Sequence, residues 1–125
     1  MFILNHAEFE QLVAEAVDGI PEQFRARLDN LAIVAEDFAD PQTLRGVGLY
    51  HPSQLLGLYH GVPLTHRTHD YGLVPPDKIS IYRQPILQRC HSLEQARALV
   101  HRVVRHEIAH YFGISDRRLD ELGAY

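Results

Sequence analysis

The sequence predicts an α+β domain, a small sheet of about three strands packed with one long helix and with helices near the N-terminus. Three observations carry this. Apolar residues recur at three and four between Ala7 and Val17, and again over about five turns from Leu93 to Phe112, as in amphipathic helices. "LAIVAEDF" (Leu31 to Phe38) and "KISIYR" (Lys78 to Arg83) are rich in β-branched and apolar residues and read as strands. The length, 125 residues, suits one compact domain over residues 1–125.

The elements follow in order. Asn5 is placed to cap the first helix, whose apolar side is Phe9, Leu12, Val13, Ala16 and Val17. Gly19 and Pro21 punctuate, and a short helix is expected from Pro21 to Leu28 with proline in its first turn. After the strand Leu31–Phe38, "ADPQTLRGVG" reads as loop. "LLGLYHGVPL", Leu55 to Leu64, has strand-like content broken by Gly57, Gly61 and Pro63, so a short strand ending in a turn is expected. "THRTHDYGLVPPD" reads as loop. In the strand that follows, Ile79 and Ile81 alternate with Ser80 and Tyr82. Ser92 and Gln95 have capping-box spacing at the start of the long helix, and Gly113 stops it. "DRRLDEL" forms a final turn or short helix.

Hydrophobic residues make up 46% and charged residues 22%, ordinary for a globular protein. The formal net charge is -4, and no run of Lys or Arg exceeds Arg117–Arg118. Without a concentrated basic footprint, no nucleic-acid partner is expected. Cys90 is the single cysteine, which fits a reducing compartment and reads as a small buried residue. "MFILNHAEFEQ" lacks the basic and apolar regions of a signal peptide, and no apolar run reaches the length of a membrane span. A cytoplasmic protein with no membrane partner is the expectation.

The chemistry concentrates in "HEIAHYFGISD", His106 to Asp116. On a helix advancing about 100° per residue, Leu93, Ala96, Leu99, Val100, Val103, Val104 and Ile108 share one face. Glu94, Arg102 and Arg105 fall opposite, and Glu107 lands inside the apolar stripe. An unpaired carboxylate is costly to bury, so a metal, a charged partner or a water-filled cleft must compensate. His106 and His110, four apart, present two imidazoles about one turn apart, so both reach one ion. Glu107 is then placed to accept a proton from a metal-activated water and pass it to a leaving group.

Chance alone yields roughly 0.04 bare HExxH matches in such a chain, so the helix context and the downstream residues matter. The bland reading makes both histidines ordinary, partly buried side chains. Catalytic zinc usually takes three protein ligands and keeps one position open. Gly113 lets the chain reverse, and Asp116 three residues later is the candidate third ligand. Alternatively Asp116 caps the last helix, and Asp120 or Glu121 takes that place. One Zn2+ ion is the expected cofactor, although Mn, Fe and Co also suit two histidines and a carboxylate. His60, His66 and His69 lack ligand spacing and read as surface residues. Tyr82, Tyr111 and Tyr125 are candidates to polarise a substrate carbonyl, with structural roles as the default.

"HEIAHYFGISD" resembles the HExxHxxGxxD form of the metzincin signature. The chain as a whole resembles the small bacterial zincin-like metallopeptidases known as minimal zincins. The resemblance extends to "LLGLYHGVPLTHR" and "PPDKISIYRQPIL" and covers most of the chain, with the N-terminal helix matched more loosely. It implies a minimal zincin-like fold with an active-site helix, His106, His110 and Asp116 as zinc ligands, Glu107 as general base, and a peptide or protein substrate. The chain departs from true metzincins in having no methionine after the motif, since Met1 is the only one, and no C-terminal subdomain. This points to a shallow cleft.

An extended peptide is expected to pair with an edge strand, Leu55–His60 or Ile79–Tyr82. Two other classes compete. One is a metal-dependent RNA-processing hydrolase, which Glu107 and the net charge disfavour. The other is a metal-stabilised binding module without catalysis, which the missing half of a cleft favours.

Overall fold

A computed structural model describes residues 2–61 and 77–123. Helix α1 spans His6–Asp18. The Asn5 side chain accepts from the Glu8 N–H, and the Glu8 carboxylate accepts from the Asn5 N–H, so two orphan donors are satisfied at once. Helix α2, Glu22–Arg25, is shorter than the expected Pro21–Leu28. Beyond Arg25 the chain tightens, with Arg27 N–H bonding Phe24 O and Leu28 N–H bonding Arg25 O. Strand β1, Leu31–Glu36, ends two residues before the expected Phe38.

Helix α3, Pro41–Gly46, replaces part of an expected loop. Asp40 caps it, accepting from Thr43 N–H at 2.7 Å, and Pro41 stands in the first turn, where no N–H is needed. Pro52–Gln54 forms a single 3-10 turn before strand β2, Gly57–His60. Strand β3, Asp77–Tyr82, runs directly into a short helix α4, Arg83–Leu87, that the pattern did not suggest. Helix α5, Leu93–Phe112, has the expected limits. Ser92 Oγ accepts from Gln95 N–H, but the Gln95 side chain reaches His91 N–H, so the capping box is not reciprocal. Gly113 ends α5 in the left-handed region, φ 74°, as the stop requires. Helix α6, Asp116–Gly123, follows.

The sheet has the order β1-β3-β2, with β1 parallel and β2 antiparallel to β3. Ile79–Tyr82 therefore lies in the central strand. The expectation that it could serve as an edge is corrected: both its sides are already paired. Its burial says the same, since Ile79, Ser80, Ile81 and Tyr82 are all buried.

Ile79 and Ile81 face the main core with Phe9, Leu12, Val13 and Ala16 of α1 and Val100, Val104 and Ile108 of α5. A fully buried side chain of this kind contributes about 1.5–3 kcal/mol by leaving water. Tyr82 faces the other way, into a smaller cluster with Ala39 and Leu44. Leu93, assigned to the apolar face, is 43% exposed in the first turn of α5. At Gly57 strand β2 packs tightly against α5. A Cβ there would stand 2.6 Å from Val103 Cγ1. The expected loop "THRTHDYGLVPPD", with Pro63, His66 and His69, and likewise Tyr125, lie outside the described residues, apart from Asp77, which opens β3.

Candidate metal centre

The last two turns of α5 carry His106, Glu107 and His110, whose ligand atoms all lie within 4.8 Å of one another. The two imidazole ring centroids are 4.4 Å apart. The side chains differ in exposure, 48% for His106 and 53% for His110 against 7% for Glu107. Two open nitrogen donors thus flank a buried carboxylate.

Glu107 lies at the seam between α5 and the edge of β2. Its Oε1 accepts a 2.8 Å hydrogen bond from the Tyr59 N–H. Tyr82 N–H donates to Leu56 O, so even-numbered residues of this strand turn their backbone groups toward β3 and Tyr59 turns its own outward. The imidazoles are the other neighbours, His110 Nδ1 at 3.5 Å and His106 Nε2 at 4.0 Å. No Lys or Arg among the described residues pairs with Glu107. One hydrogen bond to a charged group is worth about 1.5–3 kcal/mol, enough to offset only part of the cost of burial.

Asp116 opens α6, and after the Gly113 turn it lies against His106. Its Oδ2 and Oδ1 lie 2.9 and 3.1 Å from His106 Nδ1. The cap of α6 is Ser115, whose Oγ accepts from Arg118 N–H. Asp116 is therefore not occupied as a cap. It touches His106 but does not join the converging group of His106, Glu107 and His110. Asp120 pairs with Arg105, and Glu121 with Arg117 and Arg118, so neither alternative third ligand stands in that group.

The other candidates lie elsewhere. His60 Nε2 meets Ser80 Oγ at 3.1 Å on the sheet face away from α5. Burial, then the charge of Lys78, hold its imidazole below the ordinary range. Tyr82 is buried in the smaller cluster, and burial pushes its phenol up. Tyr111 packs edge-on against Tyr59 and Phe112. Cys90 is buried, which raises its thiol, in keeping with a small core residue. The Tyr59 N–H is the one site group the residue types gave no sign of, because a backbone donor has no signature in sequence.

The donor set suits zinc. Imidazole nitrogens are good ligands for it, and Asp116 on His106 Nδ1 leaves Nε2 available to an ion. A profile of zincin-like metallopeptidases matches residues 28–124. The chain belongs to the zincin-like metallopeptidase family. A solved structure of a conserved hypothetical protein from Thermus thermophilus resembles this zincin-like chain with a TM-score of 0.52 and 20% identity. The likeness covers 96% of this chain and 98% of that one, and it speaks for the α+β fold alone. No curated protein matches the chain. Among the described residues, no helix is long and apolar enough to cross a membrane.

Proposed function

We propose that the protein is a zinc-dependent peptidase that hydrolyses peptide bonds, with Glu107 as general base. The observation that carries this is the convergence of two half-exposed histidines on one buried carboxylate, in a chain of this family. His106 and His110 would hold one zinc ion; Asp116, which lies against His106 Nδ1 and outside the converging group, would become the third ligand by turning from that nitrogen to the ion. When bound, the ion supplies Lewis-acid activation of water at neutral pH.

The chain's own residues do the rest. Glu107 accepts the proton of the attacking water at Oε2, because Oε1 is held by the Tyr59 N–H. It then returns that proton to the leaving amine. Among the described residues β2 is an edge strand, so an extended peptide can pair along it through the outward backbone groups of Gly57. The Tyr59 N–H is already taken, which shortens that ladder.

Glu107→Gln tests the mechanism. Hydrolysis of an internally quenched peptide pool is expected to fall by about 10²–10⁴ while metal content is retained. Full activity in this variant would refute the role of Glu107.

A further inference from the structure

We propose that Tyr59 and Asp77 are positioning residues that hold Glu107 as a base and keep it from becoming a metal ligand. The inference rests on the hydrolytic reading above. It starts from a buried carboxylate which that reading does not use. Asp77 opens β3, is 4% exposed, and accepts a 2.8 Å hydrogen bond from the Tyr59 hydroxyl at Oδ2.

Three contacts of Tyr59 among the described residues bear on Glu107. Its phenol is anchored to Asp77 of β3, and its ring packs edge-on against Tyr111 of α5, with centroids 5.7 Å apart. Its N–H donates to Glu107 Oε1. Gly61 provides the clearance, since a Cβ there would stand 2.6 Å from both the Tyr59 hydroxyl and Asp77 Oδ1. Among the described residues β2 is four residues long and pairs with β3 alone, so its twist about its own axis depends on what its side chains hold. The phenol anchor fixes that twist and so aims the N–H.

The aim matters because Glu107 stands in the same converging group as both histidines. A carboxylate so placed is itself a good ligand for the ion the histidines would hold. The N–H ties Oε1 to the strand, which leaves Oε2 to take a proton from water. The side chain of an edge-strand residue thus selects which of two roles a neighbouring glutamate plays.

The experiment compares wild type, Tyr59→Phe and Asp77→Ala, each loaded with cobalt. It reads amide hydrogen exchange at residue 59, the visible cobalt spectrum, and kcat and KM for a peptide. Tyr59→Phe is expected to keep its metal and its KM, to exchange the residue 59 amide at least tenfold faster, to change the cobalt spectrum, and to lose at least tenfold in kcat. Asp77→Ala, which removes the acceptor of the phenol proton, is expected to reproduce the exchange, spectral and kcat changes of Tyr59→Phe, and wild-type exchange in this variant would overturn the role of Asp77. Unchanged amide exchange or an unchanged spectrum in Tyr59→Phe overturns the proposal, whatever happens to kcat. If wild type cleaves no peptide, the hydrolytic reading fails, and the exchange and spectral readouts still decide whether Tyr59 positions Glu107.

Discussion

Each face of the sheet carries a histidine–glutamate group, and the two differ in how they are completed. On the face away from α5, Glu36 Oε1 takes Lys78 Nζ at 2.9 Å and the Ser80 hydroxyl at 3.0 Å, and that hydroxyl meets His60. A lysine supplies the countercharge, so the cluster closes on itself. On the α5 face, Glu107 has one backbone donor and two open imidazoles, with no lysine or arginine among the described residues. The residue types are similar. What separates a structural polar cluster from a candidate metal site is whether the positive charge is already present.

Matched substitutions sharpen this contrast. Against the expected loss of about 10²–10⁴ in Glu107→Gln, Glu36→Gln should leave hydrolysis within about twofold. Its cost should appear in urea unfolding instead, below about 1 kcal/mol because the ion pair is partly exposed. A large loss of activity in Glu36→Gln would erase the distinction between the two faces.

Asp116 is the next test. As a ligand, its replacement by Ala should abolish metal binding as completely as His110→Ala does. As an orienting partner of His106 Nδ1, the loss should be about 10–100-fold in metal affinity, measured by competition with a chelating dye. Gly57→Ala probes the seam itself. The added Cβ against Val103 should cost about 1–3 kcal/mol in unfolding free energy and lower activity by separating α5 from β2.

The smallest effect is expected at His101, on α5 beside Gly19. Burial, and then the charge of Arg105, hold its imidazole below the ordinary value of 6.5. Its neutral form is favoured in the folded state. The stability it supports is complete above pH 6.5 and is lost as pH falls through the depressed folded value. In chelated protein, His101→Gln should flatten this part of the curve of stability against pH. An unchanged slope would count against it.

The long helix was legible because a period of 3.6 held over five turns between a serine cap and a glycine stop. The burial of Glu107 was legible too, because its angle on that helix placed it between Ala96 and Val100 in the apolar stripe. Helix α3 was hidden: its cap, Asp40, and first-turn proline were present, but Leu44 was its one buried residue. Helix α4 was hidden because five residues beginning at the end of a strand are too few for a period to show. The order of the strands was not legible from any one strand, since pairing depends on partners far along the chain. For Asp116 the turn could be foreseen from Gly113. The ring nitrogen it would meet could not, because that depends on how His106 rotates.

The most direct measurement is elemental analysis of freshly purified wild type and His110→Ala, prepared without chelator. One equivalent of zinc in wild type, absent from the variant, is predicted. A wild type that takes up no metal even when zinc is supplied, or a His110→Ala variant that keeps its full equivalent, would contradict the assignment of His106, Glu107 and His110 as a metal centre.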